Sequence, residues 1–303
     1  MRFTKMHGIG NDYVFVDGFA EDVEHPADTA RAISDRHRGV GGDGLILIQP
    51  PSSQQAHCRM EMYNADGSRA EMCGNGIRCV AKYVYEHGIA REEDLSIETD
   101  AGRKNLRLLL GAGGEVDLIE VDMGPPGLAR NEIPFVDGGV ASEPAIHVPL
   151  EVGGHTFRVT AVAMGNPHAV VRLDGTAPLP AEGFENVDAI ALSHWGPLFE
   201  NHPAFPQRTN TEFVTFPSRG EMEFRVWERG SGETLACGTG ACAAVVAGAL
   251  NGWCDPEVLV HLRGGDLRIR WEREGEFEGH VFMTGPAAEV FSGEWKGATA
   301  PAR

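Results

Sequence analysis

Ala236-Cys237-Gly238-Thr239-Gly240-Ala241-Cys242-Ala243-Ala244 repeats, in outline, an earlier stretch of the same chain, Met72-Cys73-Gly74-Asn75-Gly76-Ile77-Arg78-Cys79-Val80-Ala81. Both read apolar residue, Cys, Gly, small polar residue, Gly, and then a run of helical composition. The echo extends upstream at the same offset (237 − 73 = 164), where Tyr63-Asn64-Ala65-Asp66-Gly67 lies over Trp227-Glu228-Arg229-Gly230-Ser231. A second pair of loops matches at 165 − 10 = 155, laying Met164-Gly165-Asn166-Pro167-His168 over the Gly10-Asn11-Asp12 turn. Repetition at this scale points to a duplicated half-domain with one cysteine loop in each half.

The surrounding pattern gives the halves their form. From Gly76, the residues Ile77, Val80, Ala81, Val84 and Tyr85 fall at the spacing of an amphipathic helix, and His87-Gly88 ends it. After Cys237 the helix is apolar on all sides (Ala243, Ala244, Val245, Val246), the mark of a buried core helix. Strands are expected at Phe3–His7, Tyr13–Asp17, Leu45–Ile48, Arg59–Asn64, Leu95–Thr99, Arg107–Leu110, Phe157–Val162, Met222–Glu228, Val258–Leu262, Leu267–Trp271 and Glu278–Met283, with a last one near Glu289-Val290-Phe291. A short helix is expected at Thr29–Arg36. The fold class is α+β: two pseudo-symmetric halves, each a curved, mostly antiparallel sheet wrapped around a central helix, with the active site in the cleft between them. Gly124-Pro125-Pro126-Gly127 breaks any element. The first half is taken as residues 1–122 and the second as 123–283, with a C-terminal strand in 284–303 returning to the first. The tail after Trp295 has little to bury and is expected to fray.

Bulk properties narrow the function. The 303 residues are 42% apolar and 23% charged, with 39 Gly and 18 Pro, which suits a turn-rich and strand-rich globular fold. A net charge of −18 argues against nucleic acid and anionic membrane surfaces as partners. Six cysteines without a close-set framework do not make a disulfide scaffold, and no secretory h-region follows Met1, so a cytoplasmic protein with reduced thiols is expected.

Cys followed by Gly-x-Gly at a helix start offers free backbone N–H groups to an anion, a carboxylate above all. The same field favours thiolate over thiol. Two such loops facing one another would hold an α-carboxylate with a sulfur on each face of the adjacent carbon. One thiolate would take the α-hydrogen while the opposite thiol supplies another, which inverts that centre. A zinc site built on Cys73 and Cys79, or on Cys237 and Cys242, lacks the spacing of a metal knuckle, and no metal is expected. No lysine-centred pyridoxal site or dinucleotide motif is evident, so no cofactor is expected.

The chain resembles the diaminopimelate epimerase family. The resemblance rests on Lys5-Met6-His7-Gly8-Ile9-Gly10-Asn11-Asp12, Tyr63-Asn64-Ala65-Asp66-Gly67-Ser68, Met72-Cys73-Gly74-Asn75-Gly76, Gly165-Asn166-Pro167-His168, Arg208-Thr209-Asn210, Glu228-Arg229-Gly230 and Ala236-Cys237-Gly238-Thr239-Gly240. It implies that Cys73 and Cys237 are the acid/base pair interconverting LL- and meso-diaminopimelate without pyridoxal phosphate. It further implies that Gly74, Asn75, Gly238 and Thr239 hold the reacting carboxylate, and that Asn64, Asn166, Asn210 and Arg229 recognise the distal amino-carboxylate, with Asn11 beside them. Glu228 would accept the substrate ammonium and His168 would support the cysteines. A homodimer with a small amino-acid substrate is implied as well. Gly44 stands where some members carry Gln, and Trp227 replaces a usual Tyr. The proline and hydroxyproline racemases and the phenazine-biosynthesis isomerases are similar to it in the duplicated fold. A racemase of another amino acid, or a non-catalytic amino-acid-binding protein, are the alternatives.

Overall fold

A two-residue turn sets the first hairpin: Ile9 and Gly10 both take positive φ (47° and 87°), and strands β1 (Arg2–Gly8) and β2 (Asn11–Asp17) pair antiparallel across it. In the computed structural model, which describes residues 1–173 and 183–297, two compact units divide the chain. The first comprises Met1–Asp122 and the C-terminal segment from Thr284; the second comprises Met123–Met283.

In the first unit, α1 (Pro26–Ser34) leads from β2 to β3 (Gly44–Gln49), which pairs parallel with β2. Strand β4 (Cys58–Asn64) returns antiparallel to β3 and bends into the two-residue β5 (Arg69–Ala70). Helix α2 (Gly74–Glu86) then carries the chain to β6 (Asp94–Thr99), parallel to β4, and antiparallel β7 (Gly102–Leu110) and β8 (Val116–Gly124) follow. Parallel neighbours need a crossover, and α1 and α2 provide the two required here. Helix α2 packs against β1, β2, β4 and β7, burying Ile77, Val80, Ala81 and Val84 completely.

The second unit opens with β9 (Val148–Val152) and β10 (His155–Ala163) and then repeats the same diagram. Strand β11 (Pro167–Arg172) is antiparallel to β10, α3 (Leu192–Glu200) crosses over, and β12 (Asn210–Ser218) is parallel to β11. Strand β13 (Glu221–Glu228) is antiparallel to β12 and to the short β14 (Gly232–Glu233). Helix α4 (Gly238–Leu250) crosses over to β15 (Glu257–Leu262), parallel to β13, and β16 (Gly265–Trp271) and β17 (Val281–Gly285) follow. Strand β18 (Ala288–Glu294) belongs to the first unit, where it lies antiparallel to β1 as β9 lies against β10. The fold is therefore α+β with an internal duplication. Among the described residues no helix is long and apolar enough to cross a membrane.

Several elements depart from the sequence reading. Helix α1 begins at Pro26, a residue suited to a first turn, and ends at Ser34, leaving Asp35 and Arg36 outside. Strand β17 covers Val281–Gly285 instead of starting at Glu278, because Gly279 takes a positive φ of 89° and ends a turn. Strands β8 and β9 and helix α3 were not anticipated. Helix α3 carries Gly196 and Pro197, both poor helix formers, and has no side-chain N-cap bond. Packing forms it: Leu192, Trp195 and Phe199 enter a core with Phe157, Phe184 and Phe213. The expectation for the tail lies outside the described residues from 298 on.

Candidate active site

Each cysteine caps its helix in the same way. Cys73 has extended backbone (φ −133°, ψ 122°) and its Sγ accepts the Gly76 N–H at 3.4 Å; Cys237 (φ −120°, ψ 104°) does so from Gly240 at 3.4 Å. The sulfur thus occupies the position of an N-cap oxygen, at the positive end of the helix dipole. The glycines that follow let the first turn press on what lies beneath. A β-carbon at Gly76 would lie 2.7 Å from Ile46 Cδ1, and one at Gly240 would lie 2.8 Å from Glu212 Oε1.

Around Cys73 a chain of amides is oriented end to end. Asp43 Oδ2 accepts from Asn11 Nδ2 (2.6 Å), Asn11 Oδ1 accepts from Asn75 Nδ2 (3.3 Å), and Asn75 Oδ1 accepts from Arg78 (3.0 Å). A carboxylate at one end and a guanidinium at the other fix which way both amides point. Asn11 Oδ1 therefore faces the cysteine and accepts from its thiol at 3.3 Å. Arg78 is fully buried and also donates to the carbonyls of Gly74 (3.2 Å) and Pro286 (3.2 Å). Its closeness explains Gly8, where a β-carbon would meet the guanidinium and the Asn75 carbonyl at 3.0 Å each. Burial, and then the neighbouring Cys73, push the Tyr13 phenol up. Asn64 ends β4, and its amide donates to Ser68 Oγ at 3.0 Å. Gly44 makes no side-chain contact to anything, and a β-carbon there would collide with the Tyr63 carbonyl at 2.2 Å.

The second unit surrounds Cys237 with acids and an imidazole. His168 is fully buried; its Nδ1 lies 2.6 Å from Glu212 Oε1 and its Nε2 lies 3.0 Å from Asn166 Oδ1. Burial, followed by the charges of Glu228 and Glu212, raises the Cys237 thiol well above its ordinary value. Burial likewise raises the Glu212 carboxyl, against the pull of His168. Thr239 Oγ1 lies 3.5 Å from Cys237 Sγ. Glu228 Oε1 accepts from the Thr234 hydroxyl. Asn210 Oδ1 accepts the Arg229 N–H at 2.7 Å, and the Arg229 guanidinium donates to the Gln207 carbonyl at 2.9 Å.

The structure thus brings Asn11, Gly74 and Asn75 to Cys73, and Glu228, Gly238 and Thr239 to Cys237; Asn166 and His168 are joined to each other and to Glu212, and Asn210 is fastened to Arg229. Sequence reading did not single out Asp43, Arg78, Glu212 or Glu200. Glu200, at the end of α3, is only 7% exposed. Its Oε1 accepts from Gly230 N–H (2.9 Å) and Arg208 (2.9 Å), and its Oε2 from the Trp227 indole (2.7 Å). The duplication offset held the signal for α3, since 192 − 26 = 166 and both helices run for nine residues. All six cysteines are free, and among the described residues no cluster of three or more His, Cys, Asp or Glu is placed to hold a metal ion.

The chain is 54% identical over 298 residues to the diaminopimelate epimerase of Agathobacter rectalis, covering 97% of this chain and 99% of that one. It is 50% identical to that of Desulfovibrio desulfuricans (97% and 98% covered) and 46% identical to one from Methanococcus maripaludis (97% and 99%). Among solved structures, a hydroxyproline epimerase from Agrobacterium vitis superposes with a TM-score of 0.66 at 15% identity, over 99% of this chain and 92% of that one. A phenazine biosynthesis protein of the PhzF family from Bacillus anthracis gives 0.66 at 16% identity, over 96% and 97%. At such identities these two establish the shared fold alone. The sequence pattern of the diaminopimelate epimerases matches residues 3–129 and 160–290, and with relatives at about half identity along nearly the whole length the chain belongs to the diaminopimelate epimerase family.

Proposed function

We propose that the protein epimerises LL-2,6-diaminopimelate to meso-diaminopimelate, using Cys73 and Cys237 as two alternating acid/base groups. The observation that carries this reading is the duplicated thiol cap: two helices of one chain each begin with a sulfur that accepts the third N–H of its own first turn. In one direction a thiolate takes the α-hydrogen as a proton, leaving an enediolate. The opposite thiol then delivers its own proton to the other face. One thiol and one thiolate exchange places, so no proton is gained or lost overall.

The developing negative charge falls on the carboxylate oxygens. Backbone donors at Gly74, Asn75, Gly238 and Thr239 would hold these, a stabilisation that grows as the charge forms. Arg229 would grip the distal carboxylate in a bidentate fashion, supplying a local cation in a chain of net charge −18. Asn11, Asn64, Asn166 and Asn210 would line the substrate, and Glu228 would accept its ammonium group. His168 would support the site beside the cysteines. The chemistry needs no cofactor beyond the two sulfurs. The reading places the protein in the cytoplasm, as a homodimer serving the synthesis of lysine and of peptidoglycan precursors.

The test is proton NMR of LL-diaminopimelate with the reduced protein in deuterated buffer. Meso product carrying α-deuterium should appear while the remaining LL substrate keeps its proton, which marks two distinct bases. Cys73→Ala and Cys237→Ala should each abolish turnover. A fully reduced protein that leaves the α-proton in place would overturn the proposal, and proline and hydroxyproline would then be tried.

A further inference from the structure

The duplication supplies an internal control for each position. Across the parallel pairs, Phe15 faces Ile46 in the first unit and Val170 faces Glu212 in the second, so Glu212 stands where the other half has Ile46. The glycine contacts agree, since Gly76 presses on Ile46 and Gly240 on Glu212. Two residues back along the first strand of each pair, Tyr13 stands where His168 does. One half therefore lays an isoleucine and a phenol under its cysteine loop, and the other lays a carboxyl bonded to an imidazole.

A fully buried acid in place of an aliphatic side chain is costly. Only one of its oxygens is satisfied: Glu212 Oε1 meets His168 Nδ1 at 2.6 Å, while Oε2 is buried with no hydrogen-bond partner among the described residues. The β-carbon position of Gly240 lies 2.8 Å from Oε1 and 3.2 Å from Cys237 Sγ, so the space of a single methyl group separates carboxyl from sulfur. The charged and titratable groups that bear on the carboxyl and the thiol from the neighbouring strands are His168 on β11 and Glu228 on β13. The 2.6 Å contact holds one proton between His168 Nδ1 and Glu212 Oε1.

We propose that Glu212, bonded to His168 beneath the first turn of α4, is a positioning residue that keeps Cys237 in the proton-donating thiol form and so makes the two cysteines chemically unlike. Beneath the Cys73 loop the equivalent place is taken by Ile46. In the proposed epimerisation, on which this inference rests, Cys237 then enters the cycle as the donor, and its thiolate appears only after the substrate carbon has taken the proton.

The experiment follows the thiolate directly by its ultraviolet absorbance. Cys73→Ala leaves Cys237 as the loop cysteine to be titrated, and Cys73→Ala/Cys237→Ala is the blank. Adding Glu212→Gln, which keeps the shape and removes the charge, should lower the Cys237 titration midpoint by about one pH unit, as expected for a partial charge at this range in a protein interior. Glu212→Asp should keep the midpoint near its original place. Glu212→Ile, which copies the other half, provides a second variant and should lower the midpoint as Gln does. In the two-cysteine enzyme, Glu212→Gln should move the Cys237-dependent limb of the kcat/KM profile in the same direction. An unchanged midpoint in Gln and Ile variants that remain folded would overturn the inference. The titration needs no substrate, so its outcome is separate from that of the epimerisation test.

Discussion

Glu200 offers a sharp separation of stability from substrate capture. Its two oxygens do different work: Oε1 holds the Gly230 N–H and Arg208, while Oε2 holds the Trp227 indole. In Glu200→Gln, the amide oxygen keeps the Oε1 position because two donors converge there. The new NH2 then opposes the indole N–H, leaving a partly buried donor unsatisfied at a cost of about 2 kcal/mol. The Arg208 pair adds at most ~1 kcal/mol, since that side chain is 52% exposed. Glu200→Gln should therefore lower the unfolding free energy by about 2–3 kcal/mol and leave KM nearly unchanged. Glu200→Ala also frees the Gly230 N–H, next to Arg229. A bond worth about 1 kcal/mol corresponds to an approximately fivefold rise in KM with kcat almost constant, because neither cysteine loop is touched. Urea unfolding and steady-state kinetics on both variants are the measurements. Equal KM effects for Gln and Ala, or stabilities within about 0.5 kcal/mol of the parent, would refute the assignment of the two oxygens.

Three further outcomes follow from the same geometry. Gly240→Ala drives a β-carbon toward a buried carboxyl and the reactive sulfur, and should cost about 1–3 kcal/mol and much of kcat; Gly76→Ala meets the flexible ends of Ile46 and Met60 and should stay under about 1.5 kcal/mol in unfolding experiments. Iodoacetamide at mildly alkaline pH should label Cys73 before any other cysteine by peptide mass mapping, because it is half-buried while the other five are buried, and burial pushes Cys58, Cys79 and Cys254 up to about 12. Burial works to raise the Asp12 carboxyl, but bonds from Arg36 and from Lys5 (2.5 Å) outweigh it and lower it. A depressed carboxyl stabilises the fold above its unfolded value near ~3.9 and loses that contribution as pH falls through the folded value, so Asp12→Asn should destabilise by about 1–2 kcal/mol at neutral pH, the half-buried setting and the exposed Arg36 partner screening the pair, and converge with the parent in acid unfolding.

The cysteine loops were legible in the sequence because their chemistry and their spacing recur together. Glycine at two fixed places after a cysteine leaves few local structures open, and α2 and α4 begin where that pattern puts them. Helix α3 was hidden because its own residues argue against a helix. Gly196 is required by the Trp227 ring, which a β-carbon would meet at 2.1 Å, and the parallel pairing of β11 with β12 demands a crossover whatever the propensity. Glu212 was hidden differently. Within Asn210–Val214 it reads as an ordinary strand residue, and only its equivalence to Ile46, visible once the pairings are known, shows how unusual its placement is. Arg78 looks like the polar face of an amphipathic helix until the C-terminal segment covers it with the Pro286 carbonyl.

That C-terminal segment has a consequence for the order in which the protein is made. Strand β18 supplies the neighbour of β1, pairing Arg2 with Glu294 and His7 with Ala288, and the terminal amino group of Met1 reaches the Trp295 carbonyl at 3.1 Å. On the ribosome, β1 must wait for β18. The second unit, contiguous in sequence, can close its sheet while the N-terminal unit still has an open edge and the Arg78 guanidinium lacks one of its acceptors. The half that is synthesised first is completed second, and a chain released early would expose a bare β1 to pairing with other chains.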